Sequence, residues 1–401
     1  MSKNNSISDL DLKTDLYFHM PFCAKKCGYC YFYSLENQGV AAVNKYLDYL
    51  EKEIVLKKEL WKFPEGIRAV YIGGGTPSYL SLASLEKLFK ILHKHFEIDK
   101  DVEFTMEINP SVCDKKKIDL IKKNGVNRLS FGIQTVSPAL LQKVQRFFNK
   151  KQAVEMIRYA KKIKFKTINL DFMFRLPEQN LQLIADDIAF IKKINPSSVY
   201  WYETKDVTDY MKAMNKDNAE SQKFDSYIWA EMKKLRYKRT MTEFFSKDNV
   251  PCQYTFDFLL ADYIVSFGPF SISKYKNSFL KNISDINKYY DFLDNKKLPI
   301  WQKFELNDEE GAASFLAYLL RFGSADLEYI NKKFGVALEI SLKREIHLLK
   351  KHGFLKQEGS ELILTKNGLL YTPDVQIALL HKYEKFLKNL NVFLGREYGL
   401  K

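Results

Sequence analysis

The chain has few cysteines, no long apolar run and no leader-like amino terminus. Five cysteines in 401 residues are too few for a disulfide framework and fit a reducing compartment. No stretch approaches the roughly 18 apolar residues that a membrane-spanning helix needs, and the segment Met1 to Lys13 is polar with mixed charge. We therefore expect a cytoplasmic protein without a membrane span.

Length and charge set broad limits on the fold and its partners. With 46% hydrophobic and 14% aromatic residues, the chain is long enough for one large core and a second, smaller one. The formal net charge of +14 favours an acidic partner such as nucleic acid, an anionic membrane or a carboxylate-rich substrate. Lysine-rich exposed helix faces would explain the same charge, so charge alone identifies no ligand.

Three of the five cysteines are concentrated at one site with C-x3-C-x2-C spacing, at Cys23, Cys27 and Cys30. Soft thiolate ligands so placed favour zinc or an iron–sulfur cluster. Zinc would normally need a fourth ligand, but Cys113 and Cys252 stand alone in the sequence. Three sulfurs suit a [4Fe-4S] cluster with one open iron. The alternative is three buried structural cysteines, which the intervening Lys25 and Lys26 argue against.

The flanks of these cysteines resemble those of the radical SAM superfamily. An apolar run from Tyr17 to Phe22 precedes them, and Tyr29 stands immediately before the third cysteine. The segment YFHMPF is similar to the corresponding segment in the branch that contains oxygen-independent coproporphyrinogen III oxidase, related haem chaperones and anaerobic haem-degrading enzymes. The resemblance implies that the open iron binds S-adenosylmethionine, which one electron then cleaves to methionine and a 5′-deoxyadenosyl radical.

From residue 15 to about residue 205, short apolar runs alternate with longer segments of helical periodicity, which is typical of β/α units around a parallel sheet. We predict strands at Leu16–Met20, Ala69–Ile72, Glu103–Glu107, Arg128–Phe131, Ile168–Phe172 and Ser198–Tyr202. We predict helices at Val43–Leu60, Leu82–His95, Lys115–Lys123, Pro138–Val144, Lys151–Lys162 and Leu181–Lys193. Six strands are too few for a closed eight-stranded barrel, so the predicted fold is an α/β partial (β/α)6 barrel.

Ligands of parallel sheets gather at the carboxyl ends of the strands, where several unusual residues of this chain fall. The second strand runs into Gly73-Gly74-Gly75-Thr76-Pro77, whose glycines let a ligand approach the backbone, unless this is a plain tight turn. It is not a P-loop, because no Gly-Lys-Ser/Thr follows. The polar residues Glu107, Gln134 and Asp171 lie at or near other strand ends, where each could also be a cap or a satisfied core polar group.

The resemblance assigns roles to these residues. GGGTP is similar to the family motif that holds the methionine end of S-adenosylmethionine, and the family's cofactor-contacting Glu, Gln, Arg and Asp match this chain in order and spacing. Arg146 would bind the methionine carboxylate as a bidentate donor. The predicted cofactor-binding residues are Tyr17, Tyr29, Gly74, Gly75, Thr76, Glu107, Gln134, Arg146 and Asp171, beside the catalytic cluster ligands Cys23, Cys27 and Cys30. His19 is more simply a hydrogen-bonded core residue.

After residue 205 the pattern is weaker. Asp206 to Leu235 indicates a polar helix, and Thr240–Phe245 and Tyr254–Phe267 indicate antiparallel strands that extend the sheet. The order of later segments resembles a winged helix: helices at Asp308–Arg321, Asp326–Phe334 and Leu338–His352, a hairpin across Gly359-Ser360 and a final helix. The resembled family carries a similar domain that helps close the substrate site, so we expect no nucleic-acid partner. The predicted divisions are a tail (1–14), the barrel (15–205), an extension covering the substrate side (206–306) and the winged-helix-like domain (307–401).

Several positions depart from the family pattern. Phe32 replaces the extra cysteine of coproporphyrinogen oxidase proper, and only 22 residues precede Cys23. The haem chaperones carry a His-Asn-x-x-Tyr-Trp motif, whose matching stretch, Gln253 to Phe258, lacks the histidine. Arg175 replaces the usual glycine before Leu-Pro and would either meet a substrate carboxylate or face solvent.

Two hypotheses about function follow from the resemblance. The first is a radical SAM enzyme that acts on a porphyrin or haem-type tetrapyrrole and receives electrons from a reducing protein such as flavodoxin or ferredoxin. The second is a haem chaperone-type binding protein, in which the cluster and S-adenosylmethionine regulate haem delivery. The sequence identifies neither the substrate nor the electron donor.

Overall fold

A computed structural model describes residues 13–383 apart from 65, 205–207, 209–210, 213–220 and 249–251. Most of the predicted tail, residues 1–14, lies outside the described residues. So does part of the predicted helix between Asp206 and Leu235, of which Ser221–Lys234 is described as helical. Within the described residues, no helix is both long and apolar enough to cross a membrane.

The strands, in chain order, are β1 Thr14–Met20, β2 Phe22–Cys23, β3 Leu35–Glu36, β4 Ile67–Gly74, β5 Glu103–Ile108, β6 Arg128–Gln134, β7 Thr167–Phe174, β8 Ser198–Glu203, β9 Lys238–Met241, β10 Phe244–Ser246, β11 Tyr263–Phe267, β12 Ile272–Tyr275, β13 Ser278–Asn282, β14 Ile300–Glu305, β15 Ser324–Asp326, β16 Leu355–Glu358 and β17 Glu361–Leu364. Twelve of them form one sheet in the order β14-β13-β12-β11-β1-β4-β5-β6-β7-β8-β10-β9.

The centre of this sheet is the predicted partial (β/α)6 barrel. β1, β4, β5, β6, β7 and β8 are neighbours and pair in parallel throughout. Each contains one of the six predicted strands and extends it by one to four residues. Six of the seven residues of β1 are buried, as expected for a strand that is covered on both faces.

The helices lie at Val40–Leu60, Leu82–His95, Lys115–Lys123, Pro138–Lys143, Lys150–Lys162, Leu181–Ile194, Ser221–Lys234, Gln253–Leu260, Ile286–Asp294, Asp308–Leu319, Leu327–Phe334, Leu338–Ser341, Lys343–Lys351, Lys366–Leu370 and Thr372–Leu380. Four barrel helices begin after a side chain that accepts a hydrogen bond from a backbone N–H of the first turn, namely Ser81, Asp114, Asn149 and Asn180. These caps explain why the predicted starts agree with the structure to within one residue.

The region after the barrel corrects two of the predicted strands. Gln253–Leu260 is a helix, so only Tyr263–Phe267 of the predicted strand forms β11, and β11 pairs parallel to β1. The aromatic residues of this segment favour a strand locally, but tertiary contacts stabilise a helix instead. Asp257, on the helix, accepts a 2.7 Å hydrogen bond from Arg68 of β4. The predicted strand Thr240–Phe245 is interrupted by a turn at residues 242 and 243, which joins the end of β9 to the antiparallel strand β10.

The antiparallel extension is otherwise present. β12, β13 and β14 continue the sheet beyond β11, and β10 and β9 continue it beyond β8. After residue 307 the predicted helices and hairpin occur in the predicted order, although the helix predicted over Leu338–His352 is interrupted at Leu342. β15 joins the hairpin to make a three-stranded sheet. Apolar side chains form a second core here, which also includes Phe256, Leu260 and Ala261. The winged-helix assignment and the domain boundaries stay predictions.

Candidate functional site

The loop with the three clustered cysteines leaves the carboxyl end of β1. Cys23 ends β2, and the loop is fixed by bonds from Gly28 N to Val144 O (3.0 Å) and from Cys30 N to Cys27 O (3.1 Å). The Cys23 thiol is buried, whereas Cys27 and Cys30 are partly exposed, and all three are free. Burial, together with the neighbouring thiols of Cys27 and Cys23, raises the pKa of Cys30 to about 11. The three thiols therefore lie within electrostatic reach of one another.

This donor set fits the cluster that the sequence predicts. Within the described ranges, no three His, Cys, Asp or Glu side chains converge on a point where one metal ion would sit. A [4Fe-4S] cluster does not require such convergence, because each thiolate binds a different iron. Binding would also remove the thiol protons, since thiolate is the ligand form. Cys113 and Cys252 are buried elsewhere, and Cys252 Sγ donates to Glu103 Oε1 over 3.3 Å.

The glycine turn after β4 packs directly against the start of the cysteine loop. Gly75 N donates to Met20 O (2.8 Å) and Thr76 N donates to Phe22 O (2.7 Å). A Cβ on Gly75 would lie 2.8 Å from Phe22 O, so glycine is needed where these two backbones meet. Thr76 Oγ1 lies 3.4 Å from the Sγ atom of Cys23, so the turn and the first predicted cluster ligand are in contact.

Gly74 faces a different neighbour. Its φ is +111°, and a Cβ at this position would lie 2.5 Å from His19 Nδ1. The His19 ring is buried, bonded to Tyr17 Oη (3.1 Å) and Tyr33 O (2.9 Å), and burial lowers its pKa to about 4. His19 is thus the hydrogen-bonded core residue that we predicted, and its lowered pKa favours the neutral ring. The atoms that approach Gly74 and Gly75 here belong to the protein.

Glu107 sits at the carboxyl end of β5, beside the glycine turn. Its carboxylate accepts bonds from Tyr71 Oη (2.8 Å) and from Gly74 N (3.1 Å). Burial raises the pKa of Glu107 to about 7, and Asp171 adds to the rise. A buried carboxyl group that ionises near neutral pH is chemically suited to pair with a cationic amino group.

Asp171 lies two strands away, on β7, where it pairs in register with Gly132 of β6. It accepts bonds from Ser130 Oγ (2.9 Å) and Asn169 Nδ2 (2.7 Å), and burial raises its pKa to about 6. Sequence reasoning missed Ser130 and Asn169 as its partners. The available signal was the polar residue at every second position of these otherwise apolar strands, which marks one face of the sheet.

Gln134 ends β6 in a left-handed backbone conformation, with φ of 70°, where the pairing with β7 shifts register. Non-glycine residues in this region are uncommon and concentrate at functional sites. The side chain folds back towards Gly132: a Cβ added there would lie 3.2 Å from Gln134 Nε2 and 2.8 Å from Arg146 Nη2. Gly132 therefore leaves the space in which these two predicted site residues meet.

Arg146 connects that space to the cysteine loop. Its guanidinium donates to Gly132 O (2.5 Å), Tyr29 Oη (3.2 Å) and Cys27 Sγ (3.6 Å), and its buried Nε has no hydrogen-bond partner among the described residues. Buried donors are normally hydrogen-bonded, so this Nε lacks the acceptor that its burial calls for. The structure therefore places Arg146 against Tyr29 and Cys27 of the cysteine loop, and the cofactor-binding roles of Tyr29 and Arg146 stay predictions.

Tyr17 and Arg175 complete the predicted residues. The Tyr17 ring stacks on Tyr71 and Tyr254, with centroids 6.0 Å and 5.6 Å away. Arg175 is buried, and its Nε donates to Thr204 O over 3.0 Å and lies 3.8 Å from Glu203 Oε1. This burial contradicts the solvent-facing alternative for Arg175, because the chain folds the side chain back against β8.

Comparisons with known proteins find relatives of this chain. The family model described as the radical SAM superfamily matches residues 17–191. The heme chaperone HemW of Buchnera aphidicola (Schizaphis graminum) is 36% identical over 255 residues, which are 62% of this chain and 67% of the relative. The oxygen-independent coproporphyrinogen III oxidase of Synechocystis is 24% identical over 402 residues, covering 93% of this chain and 85% of the relative.

The fold has a solved counterpart. The coproporphyrinogen III oxidase HemN from Escherichia coli, described as a radical SAM enzyme, superposes with a TM-score of 0.83 at 20% identity. The match covers 92% of this chain and 90% of that one. At this identity the similarity establishes a shared fold.

Proposed function

The chain belongs to the radical SAM superfamily, in the branch of HemW and oxygen-independent coproporphyrinogen III oxidase, and on that premise we propose that it is a radical SAM enzyme acting on a porphyrin or haem-type tetrapyrrole. The cofactors of this family are a [4Fe-4S] cluster and S-adenosylmethionine. When bound, they supply a one-electron reductive cleavage that yields methionine and a 5′-deoxyadenosyl radical. Cys23, Cys27 and Cys30 would hold the cluster.

The chain's own residues would orient S-adenosylmethionine beside the cluster. Glu107, ionised, would accept from the amino group near the Gly74 turn, and Arg146 would donate to the carboxylate through its unsatisfied Nε. Asp171 and Gln134 would bind the adenosine ribose. The surrounding barrel would limit the access of water to the reacting atoms and so limit side reactions.

One observation carries this proposal: the cysteine loop, the glycine turn and the polar ends of β5, β6 and β7 meet at one end of the barrel. The contacts from Cys23 to Thr76, from Gly74 to Glu107 and from Arg146 to Cys27 link them in pairs. Ligands of parallel sheets bind at this end. Two carboxylates and an arginine at one end of a barrel are not needed for its folding, and such clusters are typical of functional sites.

The haem chaperone function is the second candidate, because relatives with that name align over most of the chain. The helix Gln253–Leu260 is relevant to this function because it contains the stretch that matches the haem motif of the chaperones. Gln253, where that subgroup has its haem histidine, donates from Nε2 to both carboxylate oxygens of Asp257, at 2.9 Å and 3.0 Å. An amide already bonded within its own helix is a poor axial ligand, and this favours the enzyme.

Anaerobic reconstitution separates the two candidates. Purified protein would be supplied with iron and sulfide, reduced with dithionite, and incubated with S-adenosylmethionine and candidate porphyrins. We expect 5′-deoxyadenosine together with a chemically changed porphyrin. Transfer of unchanged haem to an acceptor protein, without 5′-deoxyadenosine formation above background, would instead establish the chaperone.

A further inference from the structure

Asp187 is a fully buried aspartate on the outer helix Leu181–Ile194, away from the predicted site residues in sequence. Its Oδ1 accepts a bond from Val136 N (2.6 Å) and another from Thr135 Oγ1 (3.1 Å). Burying a carboxyl group costs free energy unless the group is hydrogen-bonded. The two hydrogen bonds that Asp187 accepts offset this cost. Both donors belong to the turn that directly follows Gln134.

That turn has no regular hydrogen bonding of its own. Gln134 leaves β6 in the left-handed region, so the chain changes direction there and the following amides need acceptors outside the strand. Asp187 supplies one, and Thr135 Oγ1 supplies the next by accepting from Ser137 N (3.2 Å). The carboxyl group thereby fixes the direction in which the chain leaves Gln134.

The effect continues towards the cysteine loop. Ser137 caps the helix Pro138–Lys143, accepting from Leu140 N (3.4 Å), and Val144 after that helix accepts the bond from Gly28 N. Two residues later, Arg146 reaches Cys27. The segment from residue 134 to residue 146 therefore begins at one predicted cofactor contact, ends at another, and is anchored near its start by Asp187.

We propose that Asp187 is a positioning residue for S-adenosylmethionine: by anchoring the segment 134–146, it sets the placement of Gln134 and Arg146 relative to the cysteine loop. The inference rests on the proposed function of this site. Asp187 itself would touch neither the cofactor nor the cluster. Burial raises its pKa to about 7, and its Oδ2 has no partner among the described residues, so an amide can replace the carboxyl with Oδ1 still accepting.

The test compares Asp187→Ala with Asp187→Asn and with Asp186→Ala, the exposed neighbour on the same helix. Iron content and the dissociation constant for S-adenosylmethionine would be measured on reconstituted, folded protein. Loss of the anchor in Asp187→Ala should weaken S-adenosylmethionine binding by roughly tenfold or more, the equivalent of one buried hydrogen bond. Asp187→Asn and Asp186→Ala should bind within about threefold of the parent, because both keep the acceptor at residue 187.

Thr135→Val keeps the test decisive if Asp187→Ala does not fold. It removes one of the two bonds to Asp187 and the acceptor for Ser137 N, and should weaken binding in the same direction. Parent-like affinity in Asp187→Ala, or in Thr135→Val when the former is unfolded, overturns the inference. So does an Asp187→Asn variant as impaired as Asp187→Ala. A parent that binds no S-adenosylmethionine would refute the proposed function, an outcome visible before any variant is compared.

Discussion

Gly74→Ala tests whether the glycine turn and His19 form one packed unit. The substitution places a methyl group 2.5 Å from His19 Nδ1 on a backbone with φ of +111°. The backbone strain is about 1–2 kcal/mol. The ring must also move, which breaks bonds to Tyr17 and Tyr33 worth about 1 kcal/mol each. We expect a total destabilisation of about 3–4 kcal/mol.

Gly125→Ala is the matched control, because Gly125 lies in the same barrel with φ of +90° but has no side-chain or backbone atom nearer than 4.0 Å to an added Cβ. It should show only the strain, about 1–2 kcal/mol. Urea unfolding of both variants, followed by circular dichroism, measures the difference. S-adenosylmethionine binding should fall in Gly74→Ala and stay unchanged in Gly125→Ala. Equal destabilisation of the two variants would refute the steric argument.

Three further predictions concern charge. Because the pKa of Glu107 is raised, this group stabilises the ligand-free fold most below pH 4.5, and that stability is lost as the pH rises through about 7. A cationic ligand should therefore bind more tightly as the pH rises over the same range. A pH titration of ligand affinity should show this increase in the parent, and a similar increase in Glu107→Gln would contradict the prediction. Lys57→Met should lower the free energy of unfolding in urea by about 3–5 kcal/mol, because it leaves the buried Glu53 carboxylate without its cation. The double variant with Glu53→Gln should recover part of this loss, and no recovery would count against the ion pair. Burial raises the pKa of both Asp15 and Asp257, and repulsion from Asp257 raises that of Asp15 further. The parent should therefore lose stability as the pH rises above about 4, and Asp257→Asn should lose less. Parallel pH profiles of the two proteins in thermal melts would argue against this repulsion.

The barrel was predictable because its signals are local. Apolar runs predicted the six central strands, and helical periodicity predicted the helix Leu82–His95 with both of its ends correct. The segment from Tyr254 onwards carried a misleading signal, since aromatic residues favour strands. What makes it a helix is its position against β4, where Asp257 meets Arg68, and no local pattern encodes that contact.

The candidate site was predictable as a set of residues but not as a set of contacts. Motif spacing selected Glu107, Gln134, Arg146 and Asp171, yet nothing in the sequence indicated that Arg146 would contact Cys27 or that His19 would fill the space beside Gly74. Asp187 was missed, although it had a signal. It occupies a core position of an amphipathic helix, three residues after Ile184, where an acid has to find a buried partner.

Every proposed role of the site depends on an iron–sulfur cluster at the three clustered cysteines, and iron analysis of cysteine variants tests for that cluster. Parent protein, Cys27→Ser and Cys113→Ser would be reconstituted anaerobically with iron and sulfide and then assayed for bound metal and for iron–sulfur charge-transfer absorbance. We predict one [4Fe-4S] cluster per chain in the parent and in Cys113→Ser, and little or none in Cys27→Ser. Zinc in place of iron, or equal iron and absorbance in Cys27→Ser and the parent, would contradict the account.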